Sequence, residues 1–118
     1  MDVEKPFEVE IRDCPQGTIA TLRGEASNER AENIRQALHA LLEKRTQRVV
    51  IDLCELSFIA SMTLAELISF RRELQSYGGR LRLAGAPDSI ASVFKTTHLA
   101  DLFPMFETSQ AALDAKPE

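Results

Sequence analysis

Apolar and polar residues alternate along Phe7–Arg12 (FEVEIR), placing Phe7, Val9 and Ile11 on one face and Glu8, Glu10 and Arg12 on the other, the pattern of a half-buried strand. Pro15 and Gly17 interrupt it. Thr18–Arg23 (TIATLR) then resumes as a second strand, so the pair reads as a hairpin with a longer loop, ended by Gly24. From Glu29 to Arg45 the apolar residues Ala31, Ile34, Leu38, Leu41 and Leu42 fall on one helical face, with Ser27 and Asn28 in front as cap residues. Arg48–Cys54 (RVVIDLC) is a nearly continuous apolar run rich in β-branched residues, which predicts a strand covered on both faces, as in a parallel sheet. A second helix is predicted from Thr63 to Tyr77, turning Leu64, Leu67, Ile68, Phe70, Leu74 and Tyr77 inward, and Gly78-Gly79 stops it. Arg80–Gly85 is a further strand and Pro87-Asp88 opens a shorter helix with Ile90, Val93 and Phe94. Met105-Phe106 reads as a brief edge strand, and a last helix runs from Ser109 to Ala115.

The order ββαβαβαβα implies an α/β fold: right-handed crossovers onto one mixed sheet of about four to five strands, with about four helices in two or three layers. The 118 residues fit one domain over 1–118, with an ordered core from 6 to 115. Fourteen Lys and Arg against eighteen Asp and Glu give a net charge of −4, and the basic residues are scattered among acids. Neutralising a phosphate backbone needs a basic surface, so nucleic acid is not expected as the ligand.

Met1–Pro6 lacks the charged start and apolar run of a secretory signal, and no apolar stretch approaches the roughly 18 residues of a membrane span, so a cytoplasmic location without membrane insertion is expected. Cys14 and Cys54 form no C-x-x-C, and only His39 and His98 could join them, so no metal site is expected. Both cysteines read as reduced, Cys54 as a small buried strand residue and Cys14 as part of a turn.

No G-x-S-x-G, G-x-x-x-x-G-K or G-x-G-x-x-G occurs. His39 reads as a helix-surface residue and His98 as part of a helix end. An enzyme or small-ligand reading would rest on Asp52, Cys54 or Glu55, because ligands of parallel sheets collect at the carboxyl ends of strands. The informative stretch is Val49–Phe70, where an apolar strand passes through a small polar segment into a helix. Thr63-Leu64-Ala65-Glu66 matches the T-x-x-E capping box, with Thr63 as cap and Glu66 reciprocating. Ser61 then lies just outside, either accessible or an alternative cap. Met62 reads either as core or as an exposed apolar contact.

The run VVIDLCELSFIASMTLAELI, the return strand GGRLRLAG and the later LADLFPMF, in that order, resemble a STAS domain, the fold of bacterial anti-sigma factor antagonists. The shared features are an apolar-Asp-apolar step (Ile51-Asp52-Leu53), an apolar pair (Phe58-Ile59) before a serine at a helix start (Ser61), the GG-x-L strand and the LFP segment. The resemblance covers essentially the whole chain and implies a module that switches partners. Unphosphorylated, it would bind an anti-sigma factor with serine kinase activity and displace a sigma factor. Phosphorylation of Ser61 would break the complex, and a serine phosphatase would restore it. The implied contact surface is Ala60, Ser61, Met62, Thr63 and Leu64 with the turn Ser27-Asn28, and no cofactor is implied. The chain reads Ala60-Ser61-Met62-Thr63 where many phosphorylated members have Asp-Ser-Ser-Gly or Asp-Ser-Thr-Gly, and Gly24-Glu25-Ala26-Ser27 where an aspartate often ends the step. A STAS subunit docking in a signalling or lipid transport complex without phosphorylation is the alternative.

Overall fold

The computed structural model describes residues 7–116, so Met1–Pro6, and with it the expected first residue of the ordered core, lies outside the described residues. The elements are β1 (Glu8–Cys14), β2 (Gly17–Ala26), a single 3-10 turn (Asn28–Arg30), α1 (Ala31–Glu43), β3 (Arg48–Ile59), α2 (Ser61–Gln75), β4 (Arg80–Ala84), α3 (Asp88–Thr96), a second 3-10 turn (Leu99–Asp101), β5 (Met105–Phe106) and α4 (Ser109–Asp114). The five strands lie side by side in chain order, β1 antiparallel to β2 and every other pair parallel. This is the mixed α/β sheet that the element order predicts.

The sheet has two unequal faces. Ala20, Leu22, Val49, Ile51, Leu53, Leu81 and Leu83 pack under α1, α2 and α3, against Ile34, Leu38 and Leu41 of α1 and Leu67, Phe70 and Leu74 of α2. Burying each of these large side chains contributes about 1.5–3 kcal/mol. Phe94 meets Phe103 edge-on at 5.8 Å. On the other face Ile19, Val50 and Ala84 pack on Ala112 and Leu113 of the short α4, making a third layer that covers only part of the sheet. Among the described residues no buried side-chain nitrogen or oxygen lacks a hydrogen-bond partner.

Several boundaries differ from the expectation, each for a physical reason. The β1–β2 hairpin is tight rather than long: pairing runs to Cys14 opposite Gly17, leaving only Pro15-Gln16 as the turn. Gly17 is required there because a Cβ would lie 2.8 Å from the Arg48 carbonyl oxygen. Ile11 does not enter the core. It is 39% exposed on the edge strand, and only Phe7 and Val9 of its face pack inward.

β3 runs to Ile59 rather than stopping at Cys54. Against β2 its register steps from Asp52 to Glu55 while β2 steps from Thr21 to Arg23, and again from Leu56 to Phe58 while β2 steps from Gly24 to Glu25. Each step is a bulge inserting one extra residue on β3. The buried residues Leu53, Leu56 and Ile59 therefore recur every third position, which hides a strand from a period-two reading. β4 pairs with β3 only as far as Asp52 and β1 with β2 only as far as Arg23, opposite Glu55, so from Leu56 onward β3 continues with β2 alone as a two-stranded ribbon. That ribbon ends where α2 begins, at Ser61.

Candidate partner-binding site at the start of α2

α2 begins two residues earlier than the capping-box reading predicts. Ala60, in extended conformation, is the residue before the helix and offers no side-chain acceptor. Thr63 is thus not the cap but the third helical residue, and it is fully buried. Its hydroxyl accepts the Ala60 N–H at 3.1 Å and lies 2.6 Å from the Ala60 oxygen and 3.0 Å from the Ala26 oxygen. One buried hydroxyl thereby ties the end of β2 to the start of α2. Glu66 has no part in this arrangement.

A helix start leaves unpaired N–H groups that something must satisfy. Here the Met62 N–H donates to the side-chain oxygen of Asn28 at 3.1 Å, from the turn after β2. The two segments singled out in the sequence, Ser27-Asn28 and Ala60–Leu64, are therefore joined by a hydrogen bond. Ser61, Met62 and Asn28 are exposed, Ser27 and Ala60 are half-buried, and Thr63 and Leu64 support the surface from beneath. Ser27 makes no side-chain cap bond. Three large apolar side chains are exposed among the described residues, and two of them, Phe58 (49%) at the end of β3 and Met62 (54%) at the start of α2, flank Ser61 in the sequence. Phe58 is the contact candidate that sequence reasoning treated only as a motif residue. Its exposure follows from the second bulge, which turns Phe58 outward between the buried Leu56 and Ile59.

Beside this patch, between β1 and the 28–30 turn, opens a groove of about 960 Å³ walled by Glu8, Arg23, Glu25, Glu29, Arg30 and Glu55. Arg23 donates to Glu55 at 2.7 Å and to Glu10 at 2.8 Å. These hydrogen bonds raise its pKa further and fix Glu55 as an ion-pair partner.

Asp52 and Cys54 lie on the same open sheet face but are arranged as structure. Cys54 is exposed, not buried, because it follows Val50 and Asp52 on the sheet face that the short α4 covers only in part. The Asp52 carboxylate accepts the Ser109 hydroxyl at 2.6 Å and the Cys54 N–H at 2.9 Å, joining β3 to the first residue of α4. Burial opposes its ionisation, but the hydrogen bonds from Ser109 and Cys54 outweigh it and leave its pKa below the ordinary value. Hydrogen bonding to Asp52, with burial and the nearby acids, pushes the Cys54 thiol up to about 11. A nucleophilic cysteine needs the opposite shift.

A family model for the STAS domain matches residues 7–112. The chain is a STAS domain. Over 97 residues it is 30% identical to BtrV of Bordetella bronchiseptica, named a candidate anti-sigma factor antagonist, spanning 82% of this chain and 84% of that protein. Its fold superposes on an anti-sigma factor antagonist from Mycobacterium paratuberculosis with a TM-score of 0.84 at 23% identity, covering 94% of this STAS domain and 96% of that chain. It superposes on the phosphorylated form of the Bacillus cell fate determinant SpoIIAA with a TM-score of 0.71 at 23% identity, covering 92% and 97%. Among the described residues of this STAS domain no helix is long and apolar enough to cross a membrane.

Proposed function

We propose that this STAS domain is a cytoplasmic anti-sigma factor antagonist that works by partner switching, a binding module with no chemistry of its own. The observation that carries the reading is the exposure of Ser61 on the first turn of α2, between the uncovered Phe58 and Met62. The partner is an anti-sigma factor with serine kinase activity. It transfers the γ-phosphoryl of ATP to Ser61 Oγ, with ADP leaving and the hydroxyl proton passing to the partner's base. The product carries about −1.5 to −2 charges and three acceptor oxygens in place of a hydroxyl. The start of a helix tolerates that charge, because free N–H groups and the dipole favour an anion. A partner packed on Phe58 and Met62 does not, because the phosphate would have to give up its water.

The test mixes the domain with a serine-kinase anti-sigma factor from the same cytoplasm and ATP, reads phosphate by mass spectrometry and compares binding of wild type and Ser61→Asp. Phosphate on Ser61, and loss of binding in a Ser61→Asp domain whose unfolding free energy changes by no more than about 0.5 kcal/mol, is expected. Equal binding by both forms with no phosphate would instead make the protein a docking subunit of a larger assembly.

A further inference from the structure

We infer that Asn28 is the positioning residue of the Ser61 switch: its side chain holds the 28–30 turn and the start of α2 as one surface, and a phosphoryl group on Ser61 takes over the N–H that Asn28 holds. The inference rests on the partner-switching reading for the origin of the phosphate and on geometry for everything else.

Three observations carry it. α2 has no cap of its own, since Ala60 supplies no acceptor. The cap arrives instead from 34 positions earlier in the chain, Asn28 accepting the Met62 N–H at 3.1 Å. The neighbouring Thr63 and Leu64 N–H groups are already spent on the Ala60 carbonyl, at 3.1 and 3.0 Å. The Ser61 and Met62 N–H groups are therefore the donors nearest to a phosphate on Ser61. Of these, Met62 is held only by a neutral amide. A hydrogen bond to an ionised acceptor is roughly twice as strong as one to a neutral acceptor, and the helix dipole adds to the preference for the anion. Asn28 is exposed, so its amide loses little on returning to water.

The exchange has a consequence for the surface. With Asn28 released, the 28–30 turn keeps its own Arg30 N–H to Ser27 carbonyl bond at 2.9 Å but loses its side-chain hydrogen bond to α2. Asn28 and Glu29 then no longer stand in fixed register with Phe58 and Met62. Phosphorylation would thus act twice, placing charge in the contact and loosening the neighbouring turn.

The experiment uses the whole chain with phosphoserine installed at position 61 during synthesis, so that no kinase is needed. Met62 amide shifts and amide hydrogen exchange of residues 28–30 are compared in wild type, the phosphoserine protein, Asn28→Ala and Asn28→Asp. The expected result is a displaced Met62 resonance in the phosphoserine protein and exchange in 28–30 about five- to tenfold faster, matching Asn28→Ala. Asn28→Asp, which keeps an acceptor of the same reach, restores the wild-type exchange in the unphosphorylated chain. An unmoved Met62 resonance on phosphorylation, or wild-type exchange in Asn28→Ala, would overturn the inference. Should no kinase phosphorylate Ser61, the partner-switching reading fails while these readouts still decide the role of Asn28.

Discussion

Asp52 shows how one side chain can look like chemistry in sequence and serve architecture in space. A carboxylate on a parallel strand is where a ligand site would be sought, yet both its oxygens are occupied, by Ser109 of α4 and by the Cys54 N–H. Gly85, at φ +69°, leaves room for it, since a Cβ there would stand 3.1 Å from Asp52 Oδ1 and 3.0 Å from Cys54 Cβ. Because the folded pKa lies below the unfolded value, the carboxylate stabilises the fold above the unfolded pKa of about 3.9. That contribution disappears as pH falls through the lower folded value. Asp52→Asn should therefore lower stability near neutrality by about 1 kcal/mol, the net worth of one hydrogen bond. The deficit should vanish on acidification, when wild type is protonated too. Denaturant midpoints followed from about pH 7 down through the folded-state pKa check this; a deficit that persists unchanged below it would mean that the residue acts through packing and not through charge.

At the level of elements, α4 is the least self-sufficient piece of the fold. Its six residues bury only Ala112 and Leu113, and a helix that short does not hold itself in water. Its far end is gathered by Arg82 of β4, which donates to the carbonyls of Ala112 at 2.7 Å, Ala115 at 2.8 Å and Lys116 at 3.1 Å. Arg82→Met keeps the aliphatic stem and removes these bonds. We expect faster amide exchange confined to residues 109–115 and a loss of about 1.5–3 kcal/mol in that segment's opening free energy, with the β2–β3 pairing unchanged. Uniformly faster exchange would show that α4 unfolds only with the whole domain. Elements of this kind were legible in sequence where their signals are local: the apolar stripe of α1, Gly78-Gly79 after α2, the brief β5. They were illegible where the signal is a relation between distant segments. The outer half of β3 escapes a period-two reading because two bulges shift its buried side chains to every third residue. The T-x-x-E box does not cap α2 because the acceptor at that helix start is Asn28, on another segment, while Thr63 faces the end of β2.

Across the whole molecule, charge and apolar exposure divide along the sheet. The groove at the ribbon end of β2 and β3 is lined by four acids, Glu8, Glu25, Glu29 and Glu55, and two arginines, Arg23 and Arg30, of which Arg23 is paired with Glu8 and Glu55. At the opposite end a cavity of about 330 Å³ between α4 and the sheet is lined by Arg48, Arg80 and Arg82 and, among the described residues, by no acid. With four acids against two arginines, the ribbon end of the sheet carries a modest excess of negative charge. Long-range attraction sets how fast partners meet, while the desolvated centre of an interface sets how long they stay. Neutralising the rim with Glu25→Gln and Glu29→Gln should slow association of a basic partner by about tenfold at low salt, and added salt should erase the difference. Ser61→Asp should behave in the opposite way, because it places one charge between Phe58 and Met62 and barely alters the field of a face that is already acidic. Its association rate should stay within about twofold of wild type and its dissociation should rise by about a hundredfold or more, as expected for a buried unpaired charge. Surface-based kinetics at two salt concentrations separate the two effects. If Ser61→Asp slowed association instead, the serine would lie on the rim, and the apolar pair beside it would not be the centre of the contact.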